Sequence, residues 1–122
     1  MPKVLASSEV RALQALVPRM PVTDAAVELA VALGRATRPA DPRAPAEVRE
    51  FVRFGSGPRG SQALVLASKA RAAMRGEASA DVDDVRALAL PVLRHRLVLS
   101  YRAEAEGVRD VDVLERVVAA VR

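Results

Sequence analysis

The sequence predicts an all-α protein, a small bundle of five or six helices. Apolar residues make up 51% of its 122 residues and aromatic residues only 2%, so the core must consist of Leu, Val and Ala. These residues recur at the spacing of helices and seldom alternate as they do in strands. A chain of this length suits one compact domain, so we expect residues 1–122 to form a single helical domain.

Serine, threonine, proline and glycine residues predict where the helices begin and end. The expected ranges of the first four are Ser7 or Ser8 to Val17, Asp24 to Leu33, Pro45 to Val52, and Pro58 to Arg75. Ser7 or Ser8 is placed to cap the first helix, Thr23 to cap the second, and Gly34 to end the second. The apolar stripe of the fourth consists of Ala63, Leu66, Ala67, Ala70 and Met74. The proline- and arginine-rich stretch 35–46 is predicted to be a loop.

The C-terminal part predicts two more helices and one extended piece. Asp81 can cap the fifth helix, with Asp84 three residues on in the arrangement of a capping box. Pro91 is expected to interrupt or kink this helix. A last helix is expected from Asp110 or Asp112 onward, and only the segment 93–101 could hold an extended piece.

Composition and charge argue against several classes of function. There is no cysteine, which excludes disulfides, and the single histidine argues against a zinc site. The net charge of +4 is spread evenly, with nine basic and six acidic side chains in residues 1–61 and ten and nine in residues 62–122. No basic stripe marks a nucleic-acid interface. No apolar run indicates a signal peptide or membrane span, so we expect a cytoplasmic protein with neither nucleic acid nor membrane among its partners.

No catalytic motif is complete in the sequence. It contains no Walker loop, no dinucleotide-binding glycine motif and no H-E-x-x-H. His95 has no serine and aspartate at a spacing that suggests a triad, so we interpret it as structural. Asp81, Asp83 and Asp84 could hold a divalent metal, but first-turn carboxylates also cap a helix and favour its dipole. We prefer the capping role and expect no metal site.

The stretch FGSGPRGSQ, residues 54–62, places an arginine where the local field opposes it. Pro58 suits the first position of a helix, which puts Arg59 in the first turn. A cation there is disfavoured by about 0.3–1 kcal/mol, because the helix N-terminus is itself positive. Arg59 is therefore either a surface arginine screened by water or part of an anion site. In such a site its guanidinium and the helix N–H groups would hold phosphate oxygens together.

Several motifs occur in order along the chain, and together they suggest a family. They are Arg35-Ala36-Thr37-Arg38-Pro39, Phe54-Gly55-Ser56-Gly57-Pro58-Arg59, Asp81-Val82-Asp83-Asp84-Val85 and Pro91-Val92-Leu93-Arg94-His95-Arg96. In this order and spacing they resemble the C-terminal lid domain of MoxR-family AAA+ ATPases. The resemblance covers essentially the whole chain. It departs from the family at Gly57, where serine is usual, and the helix cap is weakened there.

The resemblance implies a catalytic role for Arg59. It matches the sensor-2 arginine, which reaches the γ-phosphate of ATP bound to the neighbouring core domain. The cofactor-binding turn that presents it would consist of Gly55, Ser56, Gly57 and Pro58. Arg94 and Arg96 either belong to a solvated, salt-bridged face or contact the core or a neighbouring subunit. The phosphate loop and the Mg²⁺-binding residues belong to the AAA+ core domain, which this chain lacks, so it should not hydrolyse ATP alone.

The implied parent is a chaperone-like ATPase that acts as a homo-oligomeric ring. Its lid would work with the core domain of the same protein or ring, and a protein with a von Willebrand A domain is an implied partner. The alternative is a small nucleic-acid-binding or protein-adaptor module. The net charge and a helix-turn-helix-like region at 81–96 favour that alternative, whereas the even charge distribution and the scarcity of aromatic residues oppose it.

Overall fold

The computed structural model describes residues 1–122 and is almost entirely helical. The α-helices are α1 (Ser7–Leu16), α2 (Asp24–Ala36), α3 (Ala46–Phe51), α4 (Pro58–Met74), α5 (Val82–Leu93), α6 (Tyr101–Glu106) and α7 (Asp110–Ala120). Two 3₁₀ turns cover Val17–Arg19 and Arg94–Arg96. The all-α prediction is confirmed, with one helix more than predicted, α6. No helix combines the length and the apolar character that crossing a membrane requires.

The core lies between α2, α4 and α5, and α3 and α7 pack against its side. It is built from Leu, Val and Ala, as the composition predicts. Its largest fully buried side chains are Leu33, Leu64, Leu93 and Leu114. Burial of one such leucine contributes about 1.5–3 kcal/mol to folding.

α4 packs through a row of mostly small residues at four-residue spacing, because α2 and α5 both lie against it. The buried residues of this row are Gly60, Leu64, Ser68 and Ala72. The predicted stripe was wrong, since Leu66 and Met74 are 48% and 89% exposed. Ser68 fits the core because its hydroxyl donates to the Leu64 carbonyl at 2.7 Å, which satisfies the buried polar group.

Gly34 lies inside α2 rather than at its end, so the predicted stop was wrong. A Cβ at Gly34 would lie 2.3 Å from Ser61 Oγ of α4, so glycine leaves room for the Ser61 hydroxyl between the two helices. α2 ends instead at Ala36, with Thr37 as its C-cap, and the Thr37 hydroxyl donates to the Gly34 carbonyl at 2.7 Å. The helix consequently takes up the first two residues of the predicted loop.

The first two helices differ in how they are capped. Thr23 caps α2 as predicted, accepting the Ala26 N–H at 3.2 Å. At α1 the prediction of a serine cap was wrong, because the helix already begins at Ser7 and Ala6 is its N-cap. The side chain of Glu9 accepts the Ala6 N–H at 2.6 Å instead, so a helix residue satisfies the free donor.

α5 begins with the predicted capping box and continues through Pro91 to Leu93, so the prediction that Pro91 interrupts the helix was wrong. The proline removes one backbone hydrogen bond, but burial of Ala89 and Leu93 on either side of it keeps the helix in place. Asp84 accepts the Asp81 N–H at 3.0 Å and also pairs with the Arg71 guanidinium at 2.6 Å. Burial raises the pKa of Asp84, but the backbone donor and Arg71 outweigh burial and hold this pKa below its ordinary value. The capping role of this acidic cluster is therefore confirmed.

A two-stranded antiparallel sheet joins β1 (Val52–Phe54) to β2 (Val98–Leu99). The extended piece predicted within 93–101 is confirmed by β2. The prediction that the third helix extends to Val52 was wrong, because Val52 begins β1, and a strand of three residues carries too little periodicity to be recognised in the sequence. The sheet places the segment after β1 beside the Arg94–Arg96 turn.

Candidate functional site

The turn between β1 and α4 is held against the end of α2. Ser56 at its centre is only 1% exposed. Its backbone N–H donates to Thr37 Oγ1 at 2.8 Å, and its carbonyl accepts from Arg38 Nε at 2.8 Å. Two consecutive residues at the end of α2 therefore bind both backbone polar groups of Ser56. We call these two hydrogen bonds the Thr37–Arg38 clamp.

Two glycines of the site allow backbone segments to approach closely, and a third does not serve this purpose. A Cβ at Gly55 would lie 2.2 Å from the Thr37 carbonyl oxygen, and one at Gly60 would lie 1.8 Å from Ser56 Oγ. A Cβ at Gly57 would meet no atom within 4 Å. Packing therefore requires glycine at 55 and 60 but leaves room for a side chain at 57.

Arg59 occupies the first turn of α4, as predicted. The helix begins at Pro58 with Gly57 as its N-cap, and no side chain caps it. The turn contains no acidic residue, and the exposed Arg59 takes part in none of the ion pairs of the chain. The free N–H groups of the helix start and the guanidinium thus present positive charge at one place, with no acid to balance it.

Of the two arginines in the Arg94–Arg96 turn, Arg96 lies beside the start of α4 and Arg94 does not. Arg94 Nε lies 3.6 Å from Asp110 Oδ2, so Arg94 belongs to a salt-bridged face. Arg96 Cδ lies 3.3 Å from the position of a Gly60 Cβ, and Arg96 Nε is buried without a hydrogen-bond partner. His95 lies between them, and its side chain is exposed and makes no hydrogen bond to α2 or α4.

The predicted turn, Gly55 to Arg59, is continuous and intact, but reasoning from the sequence missed the residues that support it. In the sequence, Thr37 and Arg38 belong only to a loop motif, and Gly60 carries no predicted role. One signal was present in the sequence, namely a third glycine within six residues, which suggests a closely approached backbone. The hydrogen bonds across 18 and 19 residues had no signal in the local pattern.

Comparison with known proteins identifies the class of domain. The family model of the AAA lid domain matches residues 44–117. The chain therefore belongs to the AAA lid domain family. It is 32% identical over 119 residues to the chaperone MoxR1 of Mycobacterium tuberculosis, covering 98% of this chain. It is 42% identical over 55 residues, 45% of the chain, to protein MoxR of Paracoccus denitrificans. It is accordingly a lid domain of the MoxR type.

A solved structure shows the same fold. The crystal structure of a proposed ATPase from Cytophaga hutchinsonii matches 93% of this chain with a TM-score of 0.82 and 23% identity. The chain spans about a third of these longer proteins, 32% of MoxR1 and 34% of the Cytophaga protein. It spans 16% of the Paracoccus protein. The resemblance to a MoxR-type lid is confirmed for the domain that the chain comprises.

Proposed function

We propose that Arg59 is the sensor-2 arginine of this lid and that it contacts the γ-phosphate of ATP held by the core domain of the parent ATPase. The observation that supports this most is the unbalanced positive charge at the start of α4. A chain without a ligand there keeps a cation where the helix dipole disfavours it. A bound phosphate would balance this positive charge, which would explain why an arginine lies at the start of the helix.

The residues present fit a phosphate group. A guanidinium offers paired N–H donors that match phosphate oxygens, and the first turn of a helix offers free backbone donors on the same side. Arg59 would donate to the γ-phosphate and stabilise the negative charge that develops during transfer. Bound ATP supplies the reacting phosphoryl group, and we assign its Mg²⁺ to residues of the core domain.

We extend the proposal to the whole parent protein on the strength of its relatives. One of them, MoxR1, is described as a chaperone. The parent would act in the cytoplasm as a homo-oligomeric ring with chaperone-like remodelling activity, in which the lid transmits the state of the nucleotide. A protein with a von Willebrand A domain would be its partner.

The test is ATP turnover by a MoxR core whose own lid is replaced, through a covalent fusion, by this chain. Arg59→Ala should lower kcat by about 10²-fold or more, since removal of one preorganised donor typically costs that much. The matched control is Arg53→Ala, which removes an exposed arginine outside the turn and should leave turnover unchanged. Equal turnover by the unsubstituted fusion and by its Arg59→Ala variant would make Arg59 an ordinary surface residue.

A further inference from the structure

We infer that Thr37 and Arg38 are positioning residues, which fix the turn at Ser56 and thereby set where Arg59 stands. The inference concerns the Thr37–Arg38 clamp rather than the phosphate contact. Its consequence for nucleotide binding rests on the role proposed for Arg59. The clamp joins the end of α2 to the start of α4 through the single residue Ser56.

The clamp fixes a turn that is weakly restrained on its outer side. Gly55 and Gly57 flank Ser56, and glycine is the residue that restricts the backbone least. Gly57 has no atom within 4 Å of its Cβ position, and no side chain caps the helix. Packing of neighbouring side chains therefore does not hold the turn on its outer side. The two hydrogen bonds to Ser56 supply the missing restraint.

The two hydrogen bonds fix the orientation of Ser56 as well as its position. Thr37 is fully buried, accepts the Ser56 N–H and donates to the Gly34 carbonyl, so its hydroxyl is itself held in place. Arg38 holds the opposite side of the same residue, through the Ser56 carbonyl. Because both the N–H and the carbonyl of Ser56 are hydrogen-bonded, the Ser56 backbone cannot rotate without breaking one of the two bonds.

Arg59 lies only three residues after Ser56, the residue that the clamp holds. Ser56 Oγ packs against Gly60, where a Cβ would come within 1.8 Å of it, so we expect a shift of Ser56 to shift the first turn of α4 as well. Misplacement of a catalytic group by about 1 Å can lower its effect by about 10²-fold. Loss of the clamp should therefore impair Arg59 without touching the nucleotide.

The first measurement is amide hydrogen exchange by NMR on the 122-residue chain. Arg38→Ala should raise exchange about tenfold or more at the amides of Ser56 and Gly60, because opening of the turn frees the N–H groups that donate to Thr37 Oγ1 and to the Gly57 carbonyl. Arg38→Lys should restore part of the protection, because an ammonium can still reach the carbonyl as a single donor. Arg49→Ala is the matched control, since Arg49 also donates to a backbone carbonyl, that of Pro42, which is not part of the turn. Should Arg38→Ala fail to fold, Arg38→Gln, which keeps a shorter donor, takes its place.

The second measurement is the preference for ATP over ADP, as a ratio of dissociation constants, in the fusion of a MoxR core with this chain. Arg38→Ala should lower the ratio towards that of Arg59→Ala, and the double variant should be no worse than Arg59→Ala alone. A merely structural loss of stability would not produce this non-additivity.

The outcomes separate the two proposals. Unchanged exchange at the Ser56 and Gly60 amides in Arg38→Ala overturns the positioning role, whatever the nucleotide data show. A loosened turn together with an unaltered ratio in Arg59→Ala supports positioning and overturns the sensor-2 role. A loosened turn with a ratio lowered by Arg59→Ala but not by Arg38→Ala also overturns positioning.

Discussion

Gly55 and Gly57 lie two residues apart in one turn, yet the structure requires glycine only at the first. At Gly55 a side chain would collide with the backbone of Thr37, which cannot move aside as a flexible side chain could. At Gly57 the backbone is extended and the surroundings are open, so the residue merely lacks the capping oxygen that a serine would bring. Packing therefore explains the glycine at position 55 but not the one at position 57.

This difference predicts opposite effects for substitution at the two positions. Gly57→Ser should stabilise the chain by about 0.5 kcal/mol, because it adds a helix cap and restricts the unfolded chain. Gly55→Ala should destabilise it by about 1–3 kcal/mol, because its methyl group displaces the backbone of Thr37. Urea unfolding of both variants measures the two effects. Gly57→Ala is the control, and a loss of stability there as large as at Gly55→Ala would contradict the explanation.

The residues of this site were predictable only where the chemistry is local. Pro58 and Arg59 are recognisable at the start of a helix because proline and the charge of the helix end act within one turn. Thr37 and Arg38 act on Ser56 from 18 or 19 residues away. No pattern within one segment reveals such a contact, so it had to be seen in three dimensions.

At the scale of the helices, Asp84 joins α4 to α5. Its carboxylate accepts the Asp81 N–H within α5 and pairs with Arg71 of α4 and with Arg75 at the end of that helix, at 2.6 and 3.4 Å. Asp84 is 3% exposed, so water screens these contacts less than it screens a surface ion pair. The same side chain therefore caps one helix and attaches it to the next.

The lowered pKa of Asp84 predicts how stability depends on pH. A carboxylate whose pKa is lower in the folded state stabilises that state above the unfolded-state pKa of about 3.9, and this stabilisation is lost as the pH falls through the folded-state pKa. Asp84→Asn should therefore cost about 1–3 kcal/mol at pH 7 and progressively less below about pH 4. Urea unfolding at neutral pH, near pH 4 and near pH 2.5 measures this.

The control for this prediction is Asp83→Asn, in the same helical turn but without an arginine partner. It should change the free energy of unfolding by less than about 1 kcal/mol at neutral pH. A cost of Asp84→Asn that stayed constant from neutral to strongly acidic pH would show that shape rather than charge matters at this position.

At the scale of the whole molecule, α1 stands apart from the bundle. None of its residues is buried, and Val10, Leu13 and Leu16 are 39%, 51% and 47% exposed. The 3₁₀ turn after it is attached to α4, where Lys69 donates to the Pro18 carbonyl at 3.1 Å. Helices as short as α1 are marginal in water without packing, so α1 contributes little to the stability of this fold.

Removal of residues 1–16 should accordingly change the free energy of unfolding by less than about 1 kcal/mol. In the intact chain, the amides of α1 should exchange rapidly, since local opening exposes no core. Urea unfolding and hydrogen exchange measure the two effects. Leu64→Ala provides the contrast, because loss of this buried leucine should cost about 2–5 kcal/mol. Strong protection of α1 in a dilute monomer would contradict the prediction.

The whole fold was more predictable than its packing. Helix positions followed from caps and prolines, which act locally, as at Thr23 and Asp81. The packing surface of α4 was mispredicted because its buried row includes Gly60 and Ser68, which do not count as apolar in a periodicity. In α1 the error runs the other way, because its apolar stripe follows the helical pattern but is exposed. A helical apolar pattern does not say whether the surface that packs against it belongs to the same chain.

The length of α4 has a mechanical consequence. At about 1.5 Å per residue, its 17 residues form a rod about 25 Å long, with Arg59 near one end. A rotation of about 10° around the other end would carry Arg59 through about 4 Å, by the same dimensions. Hydrogen bonds exist only over a few tenths of an ångström around a length of about 2.9 Å. As a lever, α4 therefore converts a small tilt of the domain into the complete gain or loss of any contact that Arg59 makes.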